Sequence, residues 1–217
     1  MEVAHLAGGG APLLGEPPPI ELGNTAYAVR GRRRDGLQSV EHLAAWLRDM
    51  RACLAIGLAD ADIEGVTDQD LRLARELRDV IRALAAAAVD GREFDADMVA
   101  TLNRHVRQSP RWRELRSTPE PHTTVCAEGR PVAAAIAALA EDAVDLFAGP
   151  QLDQLRACHG PGCVLFFVRD TPRREWCSPG CGNRARAARH YAKVRQETGD
   201  GGHRSAIATR GASSSSA

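Results

Sequence analysis

Cys158–Arg195 reads CHGPGCVLFFVRDTPRREWCSPGCGNRARAARHYAKVR. It holds four of the six cysteines, spaced Cys158-x4-Cys163 and Cys177-x3-Cys181 with thirteen residues between the pairs. Four thiolates arriving as two close pairs suit one tetrahedral zinc ion, because each pair can sit on a tight turn while the chain between folds back. Gly160 and Gly162 allow the first turn despite its wide spacing. Val164–Val168 reads as a strand, Asp170–Pro172 as a turn and Arg174–Trp176 as a returning arm. Ser178 is placed to cap a helix with Pro179 at its first position and Cys181 in its opening turn. Knuckle, hairpin and helix form a treble-clef arrangement. Four sulfurs close the coordination shell, so the ion reads as structural and leaves no position for a hydrolytic water. His159 and His190 are alternative ligands by type, and the cysteine pattern alone does not separate zinc from iron. A disulfide framework is the weaker account, since Cys53 and Cys126 stand apart from the cluster and from each other.

Beyond Cys181 the helix carries Arg184, Arg186, Arg189, His190, Lys193 and Arg195. Held rigidly by a metal, such a helix can grip phosphates or read base edges in a nucleic-acid groove. It can equally dock on acidic residues of a protein. Arg174 and Arg184 can offset the negative charge of a four-sulfur centre. Asn183 suits a bond to hairpin backbone or sulfur, and Trp176 a cover over the centre together with Phe166 and Phe167. Net charge is formally zero, yet residues 1–150 hold 17 Lys and Arg against 23 Asp and Glu, and residues 151–195 hold 9 against 3. A basic module therefore follows an acidic body.

That body reads as helical. Gly8–Pro19 looks like a mobile leader, and Ile20–Tyr27 reads as either a short strand or the first turn of a helix, with helix favoured. Arg30–Arg34 is a compact basic loop, either a solvated turn or a contact for an anionic partner. Ser39 can cap the next helix, in which Leu43, Trp46, Leu47, Met50, Leu54 and Leu58 recur at helical spacing. Thr67-x-x-Asp70 starts a long helix whose apolar face is Leu71, Ala74, Leu77, Ile81, Leu84, Ala85 and Ala88, ended by Gly91. Asp95–Val106 forms a shorter helix. Trp112–Leu115 and Thr123–Cys126 make a small hairpin, and Pro131 opens a helix running to about Ala148. Gly199–Ala217 lacks the apolar groups that would offset the entropy of ordering. The expected organisation is a leader (1–19), a mainly α domain with a minor hairpin (20–150), a treble-clef-like zinc finger (151–198) and a disordered tail (199–217). No signal peptide or membrane span is apparent, so a cytoplasmic protein is expected.

Cys181-Gly182-Asn183-Arg184, preceded by the Cys158/Cys163 pair, Phe167, Asp170, Arg174, Trp176, Cys177 and Ser178, resembles the signature of the CGNR zinc-finger family. The region with Leu22-Gly23-Asn24-Thr25, the Leu43–Leu47 helix, Leu102-Asn103 and the final helix before Cys158 is similar to the ABATE domain that accompanies this finger. An aspartate and an aromatic residue often precede the Asn-Thr pair in that family; Glu21, Leu22 and Gly23 do so here. The resemblance covers residues 20–195. It implies a bacterial protein of a group regarded as stress-associated transcription regulators, with DNA binding inferred for the finger.

The leading expectation is therefore a DNA-binding regulator with one structural Zn2+ on Cys158, Cys163, Cys177 and Cys181. Arg184, Arg186, Arg189, Lys193 and Arg195 face the nucleic acid, while Arg174, Trp176, Ser178 and Asn183 play structural parts. The helical domain senses a small-molecule effector, contacts a protein or forms a homodimer. The alternative is a zinc-stabilised adaptor for protein partners without sequence-specific DNA binding. An enzyme is not expected: Ser39, His42, His105 and Ser109 announce no nucleophile–base pair, and there is no phosphate-binding glycine loop.

Overall fold

The computed structural model describes residues 10–208 of the chain, with side chains as far as Gln196. Thr67 and Asp70 begin α4 (Asp68–Val89), the helix around which the body packs. The Asp70 carboxylate accepts from the Thr67 N–H at 2.8 Å, and the Thr67 hydroxyl accepts from the Asp70 N–H at 3.3 Å. This reciprocal cap satisfies backbone donors that a helix start otherwise leaves open. Asp70 is 1% exposed, and its charge is met by Arg130, which forks onto its two oxygens at 2.7 and 3.0 Å. Arg130 directly precedes α6 (Pro131–Ala148), so one carboxylate ties two helix starts together. Thr67→Ala should lower stability by about 1 kcal/mol, read from urea denaturation. An unshifted midpoint would mean that Arg130 alone holds this turn.

The expected face of α4 is the buried one: Leu71, Ala74, Leu77, Ile81, Leu84 and Ala85 all lie in the core. Against it pack α1 (Pro18–Gly23), α2 (Val40–Met50), α5 (Ala96–Val106) and α6. Trp46 of α2 is 1% exposed and belongs to this core. A single 3-10 turn, Arg51–Cys53, and the short α3 (Asp60–Glu64) carry the chain from α2 to α4. At the end of α4, Gly91 adopts φ 64°, which lets its N–H and that of Arg92 close on the carbonyls of Ala88 and Ala87.

Ile20–Tyr27 is divided between two elements, α1 and then β1 (Ala26–Val29). β1 pairs antiparallel with β2 (Arg32–Asp35), with Ala26 opposite Asp35 and Val29 opposite Arg32. The basic loop is thus the turn and second arm of a hairpin, with positive φ at both Arg30 (51°) and Gly31 (77°) as two-residue hairpin turns require. Arginines at successive positions hide the apolar alternation that marks a strand. The second hairpin, β3 (Arg111–Arg116) with β4 (His122–Ala127), falls where the sequence places it.

The described part of the leader is packed against the body. Ala11 and Glu16 are buried. A Cβ added at Gly36 would lie 2.7 Å from that of Ala11, so strap and body are in close contact. Buried Glu21 organises the strap by accepting from the N–H groups of Leu14 and Glu16, both at 2.7 Å. Its other oxygen has no hydrogen-bond partner among the described residues. Burial pushes the Glu21 carboxyl above its ordinary value, against those backbone bonds. A carboxyl raised on folding favours the native state at low pH, and that contribution is lost as pH rises from the ordinary carboxyl range through the raised value. Glu21→Gln keeps the accepting oxygen and removes the charge. The variant should show a smaller loss of stability than wild type between pH 4.5 and 7.5 in urea melts.

At the other end α7 (Pro179–Ala208) continues helical past Gly199, where the composition suggests loss of order. The rest of the expected tail, 209–217, and the first nine residues lie outside the described residues. No helix among the described residues is long and apolar enough to cross a membrane.

Candidate metal centre

β5 (Leu155–Ala157) pairs antiparallel with β6 (Phe166–Val168), in register Leu155↔Val168 to Ala157↔Phe166. The Cys158 N–H on Leu165 and the Arg169 N–H on Gln154 extend the ladder at both ends. The partner of the Phe-Phe-Val strand is thus the segment before Cys158, and Arg174–Trp176 is not a strand. Its arginine side chain serves β6 instead, as described below.

The turn at 160–163 and the start of α7 bring the four sulfurs within 4.8 Å of one another. Cys163 and Cys177 Sγ are 3.8 Å apart, Cys177 and Cys181 Sγ 3.4 Å. Four thiolates at about 2.3 Å from one tetrahedral ion stand about 3.8 Å apart, so the donor set fits zinc. Cys158, Cys177 and Cys181 are buried and Cys163 is half-buried. Glycines permit the closeness: a Cβ at Gly160 would lie 2.8 Å from Cys181 Cβ, and one at Gly182 would lie 3.0 Å from the Trp176 ring. Ser178 Oγ accepts from the Cys181 N–H at 3.4 Å, capping α7 as its position implies.

Donors point at the sulfurs. The Cys177 N–H lies 3.5 Å from Cys158 Sγ, and an Arg184 nitrogen 2.9 Å from Cys181 Sγ. Hydrogen bonds from Cys163, then Cys177 and Cys181, pull the Cys158 thiol far below its ordinary value, while bonds to Cys158 and Cys163 push Cys177 far above. The four groups cannot all ionise together without a cation among them. Anionic sulfur supported by N–H donors and a guanidinium is the environment of a soft tetrahedral metal.

The second edge of β6 is closed by side chains. Asn24 donates to the Phe166 carbonyl and accepts from the Phe166 N–H, both at 2.9 Å, in place of a neighbouring strand. Glu16 accepts from the Val168 N–H at 2.9 Å, and Arg174 donates to the Val168 carbonyl at 3.1 Å. Glu16 and Arg174 also form an ion pair. Arg174 reaches the Cys177 carbonyl at 3.2 Å and lies 5.0 Å from the centre of the Phe167 ring. The Arg174 charge is thus met by Glu16, and Arg184 is the arginine on sulfur. Nearby, Arg82 of α4 donates to the Val164 carbonyl at 3.0 Å.

Trp176 packs with Leu165, Phe167 and the sulfurs. Asn183 is exposed and accepts from Arg186 one turn on, so it does not tie the helix to the strands; Asn24 makes the asparagine bridge to β6. Beyond Ala185, every residue of α7 to Gln196 is exposed, including Arg186, Arg189, Lys193 and Arg195.

Ser39 stands at the N-cap position of α2 but makes no capping bond to the helix backbone; its hydroxyl is taken up by the Glu41 carboxylate and meets His42 Nδ1 at 2.9 Å, a contact within the first turn. His105 is fully buried beside Glu76, and burial lowers its pKa. Cys53 is exposed and Cys126 half-buried. A cleft of about 710 Å3 lies between Pro17–Pro19, Leu54 and the acidic pair Asp142 and Asp145, and a second, of about 530 Å3, lies beside Phe94 and Arg156.

Residues 16–150 match the model of the ABATE family, described as "Putative stress-induced transcription regulator", and residues 154–194 match that of the CGNR zinc finger. A search of curated proteins returns no match.

Proposed function

This chain belongs to the ABATE family and carries a CGNR zinc finger, and from that premise we propose that it regulates transcription by binding DNA through the finger. Cys158, Cys163, Cys177 and Cys181 hold one structural zinc ion, which cross-links the knuckle to the start of α7. The observation that carries the reading is the course of α7. The helix is fixed at the four-sulfur cluster and then presents only exposed residues from Arg186 to Gln196. Arg186, Arg189, Lys193 and Arg195 are its nucleic-acid contacts; Arg184 is committed to Cys181 and holds the centre. Arginine forks recognise both phosphate oxygens and guanine edges.

The helical domain supplies the seat of the finger and a place for control. The cleft at Pro17–Pro19 adjoins Glu16, which holds β6, so an effector there acts on the segment that seats the finger. One small module makes a limited DNA interface, and a homodimer would double it.

Selection from fragmented genomic DNA with zinc-loaded protein tests the reading. A recurrent motif bound at physiological salt and lost in Arg186→Ala/Arg189→Ala supports it. Salt-labile binding without sequence preference, with zinc content and fold intact, would make the finger a docking module for an acidic protein.

A further inference from the structure

The five residues Arg30–Arg34 hold four of the 17 basic residues of an otherwise acidic 1–150 region. Arg30, Arg32, Arg33 and Arg34 are all exposed. Among the described residues none of their side chains takes part in a hydrogen bond or ion pair. The one carboxylate of the hairpin, Asp35, is engaged by Arg78 at 2.6 Å and by the Leu37 N–H at 2.8 Å, so it does not neutralise them. Four like charges this close repel one another, and the hairpin stays folded because its inner side is anchored. Tyr27 packs into the cluster of Leu165, Phe167 and the cysteines.

Placement gives the cluster its meaning. A Cβ on Gly162 would lie 3.0 Å from the Gly31 backbone, so the tip of the hairpin rests on the first knuckle of the finger. Gly160 of that knuckle rests on Cys181, in the opening turn of α7. These contacts are two residues apart, within roughly 7 Å by chain reach. The arginine hairpin and the start of the arginine helix therefore flank one knuckle. Strand alternation sends Arg32 and Arg34 to one face of the ribbon and Arg33 to the other. Arg34 pairs with Tyr27, whose ring packs on the finger, so the exposed arginines stand beside the finger and add their charge to that of the basic helix, as contacts to duplex phosphates require.

We infer that the β1–β2 hairpin is a second DNA-contacting element, which grips duplex phosphates beside the finger through Arg32, Arg33 and Arg34. The inference rests on the DNA-binding reading above. Its contacts are to backbone, so they raise affinity for all sequences and set the register of the helix without reading bases.

The test uses full-length, zinc-loaded protein and a fluorescent mixed-sequence duplex, titrated by anisotropy across a series of salt concentrations. In R32Q/R33Q/R34Q the slope of log K against log salt should be shallower by about 2 to 3, with affinity roughly tenfold to a hundredfold weaker at 0.1 M salt. R32K/R33K/R34K should bind nearly as wild type, because a phosphate contact needs charge more than fork geometry. Zinc content and thermal midpoint verify that each variant is folded. A glutamine variant with wild-type slope and affinity overturns the inference while leaving the regulator reading in place. If wild-type protein binds no duplex at any salt, the regulator reading fails and this inference with it.

Discussion

Chelation at neutral pH is expected to release one zinc ion per chain and to dissolve the ordered start of α7. The apolar cluster around the sulfurs consists of Leu14, Tyr27, Leu165, Phe167 and Trp176 besides the cysteines themselves. So small a core does not offset the entropy of ordering the residues around it. Zinc binding in such modules contributes apparent free energies of about 10–16 kcal/mol near neutral pH, and where no site pre-exists that energy is folding energy. Here part of the scaffold is held independently, because β6 is bonded to Asn24 and Glu16. The loss should therefore be graded. Hydrogen exchange should show 176–186 losing protection completely and 155–168 only in part, with α4 and α6 unchanged. Cys177→Ser should behave as the chelated protein does, with zinc content by atomic absorption falling below one per chain. Unaltered protection of 176–186 after verified metal loss would mean that packing alone holds the finger. The same thiolates take up protons in acid, so zinc retention should fall as pH is lowered.

Asn24→Ala should be among the most damaging substitutions in the helical domain. Asn24 is fully buried and satisfies both the N–H and the carbonyl of Phe166. Its removal strands two backbone groups away from water, each costing about 1–3 kcal/mol, so a total of roughly 2–6 kcal/mol is expected. Asn24→Asp should be at least as harmful at neutral pH, since a carboxylate cannot donate to the Phe166 carbonyl and adds a buried charge. Urea denaturation gives the stability, and exchange at Phe166 and Val168 locates the defect. A variant with wild-type stability would show that water replaces the amide.

Local patterns were legible from sequence, and contacts between distant segments were not. The four cysteines announce themselves because ligand spacing is a property of short turns, and α4, α5 and α6 because apolar period, cap and stop lie within one segment. Ser178 as cap and Trp176 as cover follow from the same short range. The seat of the finger does not. Asn24 and Phe166 are 142 residues apart, Glu16 and Val168 152. A glutamate after a glycine and before three prolines reads as part of a loose leader, although its carboxylate ends up buried against an arginine. Arg174 reads as part of a strand because nothing nearby reveals that its guanidinium bonds to β6 from outside. The arginine hairpin reads as a loop because a strand defined by neighbouring backbone needs no apolar alternation of its own.

The edge of β6 made by Asn24, Glu16 and Arg174 also bears on how such a protein can be inherited and recombined. The two family regions meet near residue 150, which invites a cut there. A gene fusion that transplanted residues 151–208 alone would carry Arg174 and leave Asn24 and Glu16 behind. The moved strand, Phe-Phe-Val, would then offer an apolar, unpaired edge to any neighbour, the usual starting point for aggregation. The smallest transferable unit of the finger therefore includes a stretch from the far end of the chain, around residues 14–25, and the two parts are expected to travel through evolution as a single piece.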